Sequence, residues 1–182
     1  MTELTISPDL DCKALAAQFA AQRWVQIPGF LADDGADVLL DHIASREDWM
    51  RTWNEGGETR DVSRDLFDAW PEDKRRAYED LSTADARDGF QYRFENIRVP
   101  EIAEKRARRT DPLTSFVKLM SGKALDLLRA IMDDETVNFA DGQAVAYARG
   151  DFLTGHHDDI DGKNRRAAYV FNMTREWRAE WG

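Results

Sequence analysis

Apolar residues in the first 135 positions recur mostly at the three- and four-residue spacing of helices. Leu15 and Phe19, for example, fall one turn apart on a shared face. Asp111 followed by Pro112 marks a helix start, because aspartate accepts hydrogen bonds from first-turn amides and proline has no amide to satisfy. The spacing predicts helices over residues 11–23, from residue 33 onward, over residues 71–81, over residues 111–121, and over a segment with Leu125, Leu128 and Met132 on its buried side.

Alternating apolar and polar residues predict strands in other segments. Residues 24–27 form a β-prone run closed by a Pro-Gly turn, and residues 90–99 alternate aromatic or aliphatic side chains with polar ones. Beyond these, Asp141-Gly142 separates two strand-like runs, which is typical of a hairpin. Helices followed by strands predict one α+β domain, mainly helical over residues 1–135 and β-rich over residues 136–182.

Composition and charge limit the partners and the cellular location that we expect. The 182 residues carry 35 acidic and 25 basic side chains, a formal net charge of -10, so we expect no nucleic-acid or anionic-membrane partner. Cys12 is the only cysteine, which excludes an intrachain disulfide and fits a reducing cytoplasm. The amino terminus lacks the features of a signal peptide, and no apolar run is long enough to span a bilayer. We therefore expect a soluble cytoplasmic protein, and the sequence does not define its oligomeric state.

Two segments are candidates for function. Residues 49–88 are polar and rich in tryptophan and, apart from their helix, are predicted to form surface loops around a site. Residues 147–172 contain two of the three histidines. On an extended segment, side chains two positions apart share a face, so His156 could bind a metal together with Asp158, or His157 together with Asp159. Spacing alone does not choose between the pairs, and a solvated acidic turn has the same composition.

The wider context resembles a known family. The order of residues in this region is similar to the first core strands of non-haem Fe(II), 2-oxoglutarate-dependent dioxygenases related to prolyl 4-hydroxylases, including the ribosomal-protein prolyl hydroxylase branch. The resemblance covers residues 141–182 and rests on Tyr147, residues 150–154, the His-His-Asp-Asp run, residues 162–166 and residues 167–177. It implies a double-stranded β-helix, a cupin-like jelly roll, supported by N-terminal helices. Residues 167–173 are then expected to form a strand.

The resemblance also implies roles for individual residues. In the family a glycine follows the ligand histidine by six positions, so Gly162 marks His156 as an iron ligand and Asp158 as its partner. Tyr147 and Asn172 fall where relatives contact 2-oxoglutarate, although relatives often have tyrosine at the place of Asn172. Tyr147 is equally consistent with a rim or core tyrosine at a strand end. No separate acid or base residue is assigned.

The implied activity is oxidative decarboxylation of 2-oxoglutarate coupled to hydroxylation of a substrate by O2. The substrate is a protein or a small molecule, with a prolyl residue of a protein as one candidate, and ascorbate is an optional accessory reductant. Two histidines and one carboxylate on Fe(II) leave the positions that such chemistry needs. Arg165 and Arg166 are candidates for attracting the anionic co-substrate, or are ordinary surface groups.

The third iron ligand and the basic residue that holds the far carboxylate of 2-oxoglutarate lie, in the family, several strands after the HxD segment. We therefore expect the chain to be truncated within the jelly roll. His42 is the only other histidine, and its apolar neighbours favour a helix residue. The alternatives are an inactive jelly-roll binding module and a metalloprotein that completes its site across an oligomer interface. The nucleotide sequence after the last codon would discriminate the truncated enzyme from both.

Overall fold

The structure is a computed structural model that describes residues 3–159 and 162–181. The chain forms two compact units, each built from separate stretches of sequence. Unit 1 comprises Met1–Ala44, Ala107–Asp141 and Asp158–Gly182, and unit 2 comprises Ser45–Arg106 and Gly142–His157. Helices and one antiparallel sheet make up the described part of the chain, so the predicted α+β class is confirmed.

Helices and strands are interspersed along the chain, and three of the five strands precede residue 136. In chain order, the helices are α1 (Cys12–Gln22), α2 (Gly35–Ala44), α3 (Arg64–Asp68), α4 (Glu72–Asp85), α5 (Ala103–Ala107), α6 (Pro112–Met120) and α7 (Ala124–Met132), followed by a 3-10 turn at Ala179–Trp181. The strands are β1 (Met50–Glu55), β2 (Glu58–Ser63), β3 (Tyr92–Arg98), β4 (Gln143–Ala146) and β5 (Phe152–Leu153). Within the residues described, no helix is both long and apolar enough to cross a membrane.

Unit 1 is a helical assembly in which α1 packs on α7, and α6 packs on both α2 and α7. The sequence favours α2, α6 and α7 because their apolar residues recur at helical spacing and supply buried positions, whereas α1 has no fully buried residue. Leu39 of α2, Val117 of α6 and Ala124 of α7 are almost fully buried. Burying a side chain of the size of leucine or valine contributes about 1.5–3 kcal/mol relative to exposure, so these contacts hold the unit together.

The cap of α6 joins two helices of unit 1. One carboxylate oxygen of Asp111 accepts a hydrogen bond from the Thr114 amide at 3.0 Å, and the other accepts one from the Thr114 hydroxyl at 2.7 Å. His42 of α2 places its Nε2 3.4 Å from the Asp111 carboxylate. The helix start predicted from Asp111 and Pro112 is therefore confirmed, and His42 is a half-buried helix residue beside this cap.

Replacing Asp111 with alanine is expected to lower the free energy of unfolding by about 1–2 kcal/mol, toward the upper part of the range for lost N-caps. The reason is that Thr114 is 0% exposed, so its hydroxyl cannot replace the lost acceptor with water. Urea denaturation measures the change. Asp111→Asn is the matched control, because an amide oxygen can still cap the helix. An alanine variant no less stable than the asparagine variant would show that the cap does not contribute in this way.

Unit 2 is built on an antiparallel sheet in which the strands follow the order β2-β1-β3-β4. One edge of β3 pairs with β1, and the other pairs with β4 and, further along, with β5. The predicted strand over residues 90–99 is confirmed as β3, and β4 confirms a strand after Gly142. The sheet thus brings two distant parts of the sequence to β3, with β1 at one edge and β4 and β5 at the other.

The hairpin of β1 and β2 lies in a segment that the sequence predicted to form loops. Gly56 and Gly57 join the strands with φ values of 61° and 84°, the positive values that a two-residue hairpin turn requires. The Gly-Gly pair was the available signal. It was missed because β2 is an edge strand with mostly exposed, charged residues, so it lacks the alternation used to find strands.

Three other strand predictions were wrong. Residues 24–27, 136–140 and 167–173 are outside the strands, although their composition favours β structure. A strand needs a neighbour for its amides and carbonyls, and β4 pairs with β3 rather than with the residues before Asp141. Residues 167–173 are held by side chains instead, since the Phe171 ring packs 4.9 Å from that of Phe116. The five-stranded sheet does not by itself show a double-stranded β-helix, which stays a prediction.

Candidate functional site

A row of aromatic rings follows β3 in unit 2. Phe90, Tyr92 and Phe94 are two positions apart and so share one side of the extended chain, with centroids separated by 5.5 and 5.3 Å. Tyr147 continues the row at one end, 5.6 Å from Phe94, and His156 continues it at the other, 5.4 Å from Phe90. Two of the predicted site residues therefore belong to one aromatic row but lie at its opposite ends.

His156 is exposed, and its imidazole has a defined hydrogen bond. The Nδ1 atom lies 2.9 Å from the carbonyl oxygen of Thr154. A carbonyl only accepts hydrogen bonds, so Nδ1 is the nitrogen that carries the proton. In the neutral ring the lone pair then lies on Nε2, the arrangement found in histidines that bind a metal through Nε2.

The loop that precedes His156 is anchored by a buried ion pair. The Arg51 guanidinium makes two hydrogen bonds to the carboxylate of Asp151, one of them at 2.8 Å. The side chains of these residues are only 9% and 1% exposed. The Asp151 carboxylate also accepts a hydrogen bond from the Ala148 amide, and Arg93 donates to the carbonyl of Gly150 at 2.7 Å. Two strand arginines thus fix the loop to the sheet.

The anchored segment extends to Thr154, whose carbonyl sets the tautomer of His156. The Thr154 amide donates to the Gln91 carbonyl, and the Gln91 amide donates to the Thr154 hydroxyl, both at 2.9 Å. Gln91 is buried and immediately precedes β3. The carbonyl of Thr154 that holds His156 is therefore part of a positioned segment, and the imidazole orientation is coupled to the sheet.

Tyr147 lies just after β4 and is 54% exposed. Partial burial, and then the charge of the Asp151 carboxylate, raise the pKa of Tyr147. The phenol is therefore neutral at physiological pH and keeps a proton that it can donate to an anionic ligand. Its assignment to 2-oxoglutarate stays a prediction.

The other predicted site residues belong to unit 1. Asn172 is exposed, and its side-chain oxygen accepts a hydrogen bond from the Thr174 amide at 2.9 Å, which closes a local turn. Asp158 and Asp159 are also exposed. The histidines of the HxD segment are in unit 2 and its aspartates are in unit 1, so the choice of ligand pair stays a prediction.

Arg165 and Arg166 both pair with carboxylates of unit 1. Arg165 Nη2 is 3.1 Å from Asp141, and Arg166 Nε is 2.7 Å from Asp134. The hydroxyl of Tyr169 donates to the Asp141 carbonyl at 2.7 Å. These contacts favour an anchoring role for the two arginines over capture of a co-substrate.

The contact of Arg166 with Asp134 is expected to break only in strong acid. Hydrogen bonds from Thr136 and Arg166 lower the pKa of Asp134 to about 2, well below the ordinary value of an aspartate. A lowered pKa means that the contact adds its full stability above the unfolded-state pKa and loses it as the pH falls toward 2. NMR titration of the Asp134 carboxyl carbon measures this, and Arg166→Gln should move the midpoint upward. A midpoint near 4 in the parent protein would contradict the contact.

In the part of the chain that the structure describes, three or more His, Cys, Asp or Glu side chains do not converge on a common point. The sequence also did not predict that Arg51 and Arg93 support the loop. Their positions in apolar strand segments were the available signal, because a buried charge needs a partner.

Comparison of the chain with protein-family models, curated proteins and solved structures gives no match.

Proposed function

We propose that this protein is an Fe(II)- and 2-oxoglutarate-dependent oxygenase in which His156 and Asp158 bind the metal. The observation that supports this best is the hydrogen bond from His156 Nδ1 to the Thr154 carbonyl. It puts the proton of the neutral ring on Nδ1, so Nε2 is the nitrogen with the chemistry of a metal ligand, and the accepting carbonyl belongs to a segment fixed by buried groups.

The residues present fit the chemical preferences of the metal. Imidazole nitrogen and carboxylate oxygen are both ligands of non-haem Fe(II), and a site with two histidines and one carboxylate leaves positions for a bidentate co-substrate and O2. Bound iron and 2-oxoglutarate would supply the oxidising chemistry. The task of the chain is to hold its ligands in place, to orient the co-substrate and to exclude water. We propose Tyr147 and Asn172 as donors to 2-oxoglutarate.

The aromatic row gives the proposed site an apolar approach. Phe90 and Tyr147 are each about half exposed, at 50% and 54%, and Leu153 of the paired strand β5 is also exposed. Exposed apolar groups next to polar ligands are typical of a binding surface. We propose that the substrate lies along this row while its reacting carbon is at the metal. A prolyl residue of a protein is the candidate that the sequence resemblance favours.

The finer fold belongs to the same proposal. We infer that the strands of unit 2 are part of a double-stranded β-helix that holds the iron ligands and the co-substrate. Rigid strands suit this task, because a metal site needs its ligands fixed within a fraction of an ångström.

Paramagnetic broadening of NMR signals tests where the metal binds. Mn(II) can occupy a site of imidazole and carboxylate ligands in place of Fe(II), although it favours oxygen ligands more, and it is stable in air. Substoichiometric Mn(II) is expected to broaden the imidazole signals of His156 and the amides of residues 154–158 first. Earliest broadening at other acidic residues, such as the exposed residues of α4, would contradict the proposal.

A further inference from the structure

Three aromatic residues of unit 2 form a corner that lines a pocket of about 250 Å³. Trp53 comes from β1, Trp70 precedes α4, and Tyr78 comes from α4. The ring planes are close to perpendicular, at 83° for Trp53 with Trp70, 78° for Trp53 with Tyr78 and 83° for Trp70 with Tyr78. This aromatic corner is separate from the row on β3 and has no part in the proposed oxygenase site.

The aromatic corner already holds a cation of its own chain. The ammonium nitrogen of Lys74 lies 3.7 Å from the centroid of the Trp70 ring. On its buried side, the Arg51 guanidinium is 5.9 Å from the Tyr78 centroid, and that charge is balanced by Asp151. Ring faces carry partial negative charge and attract cations within about 6 Å. Two rings of the corner, Trp70 and Tyr78, thus lie within cation–π distance of positive groups.

The rest of the pocket lining fits a cation better than an anion. Glu55 and Asp85 line the pocket with Lys74. Glu55 is already paired with Arg60 at 3.0 Å, so Asp85 is the carboxylate that balances Lys74 and that would balance a cation in its place. The volume is below the range of roughly 300–1,000 Å³ typical of drug-sized ligands, which suits a group of side-chain size. Ring faces offer attraction without hydrogen-bond acceptors. They therefore favour a methylated ammonium, which has few or no N–H groups to satisfy, over the strongly hydrated ammonium of an unmodified lysine.

We propose that the aromatic corner binds a methylated ammonium group and that Lys74 is the internal cation which such a ligand displaces. Lys74 is exposed and can move into solvent when the ligand enters. The same chemistry is offered by a methylated lysine side chain of another protein and by a free quaternary amine, and the experiment separates these sources.

Tryptophan fluorescence with a charged and a neutral probe of one shape tests the proposal on the whole chain. Choline is expected to bind, and 3,3-dimethyl-1-butanol, which has carbon in place of the nitrogen, is expected to bind roughly 3- to 30-fold more weakly because it lacks the charge. Equal binding of the two probes, or no binding of choline, would overturn the proposal. Tighter binding of a trimethyl-lysine peptide than of free trimethyl-lysine would identify a protein source, and equal binding a small-molecule source.

Variants locate the site. Lys74→Met removes the competing cation and is expected to tighten choline binding by about 2- to 10-fold, and this exposed change leaves the fold intact. Trp70→Leu is expected to weaken binding by about 10-fold, whereas Trp24→Leu, at an exposed tryptophan outside the pocket lining, should leave it unchanged. If Trp70→Leu does not fold, the Lys74→Met variant and the comparison of choline with 3,3-dimethyl-1-butanol still test the proposal. Unchanged choline affinity in Lys74→Met would contradict displacement of Lys74.

Discussion

Replacing Asp151 with asparagine is expected to lower the free energy of unfolding by about 3–5 kcal/mol, the range observed when one partner of a buried ion pair is lost. Asp151 is almost fully buried and is paired with an equally inaccessible Arg51, so the guanidinium would be left with an uncompensated charge. The asparagine also weakens the bond to the Ala148 amide. Urea denaturation followed by circular dichroism measures the loss.

Glu72→Gln is the matched control, because it makes the same carboxylate-to-amide change in an exposed ion pair with Arg76 on α4. Its effect should be within about 0.5 kcal/mol, since exposed pairs contribute little. The double variant Arg51→Met/Asp151→Leu should recover part of the loss, because apolar residues can replace a buried pair at little cost. Similar small losses in Asp151→Asn and Glu72→Gln would show that the pair is more solvated than the structure indicates.

Replacing His156 with alanine is expected to weaken Fe(II) binding by at least about 10- to 100-fold. Loss of an outer partner of a metal ligand already costs this much, and loss of the ligand itself costs no less. Because the proposal names only two protein ligands, His156 and Asp158, we expect the parent affinity to be weak. Anaerobic titration of Fe(II), followed by isothermal calorimetry or NMR, measures the ratio of the two dissociation constants.

His157→Ala is the natural control, since the two histidines are adjacent and both exposed. It should retain the parent affinity within about twofold, whereas Thr154→Pro should weaken binding, because the proline ring removes the amide that bonds the Gln91 carbonyl and thereby displaces the Thr154 carbonyl under His156. A large loss in His157→Ala with full affinity in His156→Ala would reverse the assignment. It would then favour the pair of His157 and Asp159.

The sequence was sufficient where local signals decide the structure. Asp111 with Pro112 predicted the start of α6, and the alternation over residues 90–99 predicted β3, because caps and side-chain alternation depend on near neighbours. The Gly56-Gly57 turn was an equally local signal. It was overlooked because an exposed edge strand carries no apolar alternation.

Contacts between residues that are far apart in the chain could not be predicted from the sequence. Arg51 and Asp151 are 100 positions apart, and they meet because β1, β3 and β5 align in one sheet. Residues 167–173 have the composition of a strand, yet the described structure anchors them through side chains such as Tyr169 and Phe171. Strand propensity describes the fit to a sheet, and it does not supply the neighbour.

Succinate release tests the central claim most directly. The protein, incubated with 2-oxoglutarate in air, is expected to form succinate only when Fe(II) is present, and His156→Ala should abolish the reaction while His157→Ala retains it. A protein that binds iron at His156 but never converts 2-oxoglutarate to succinate would contradict the oxygenase assignment.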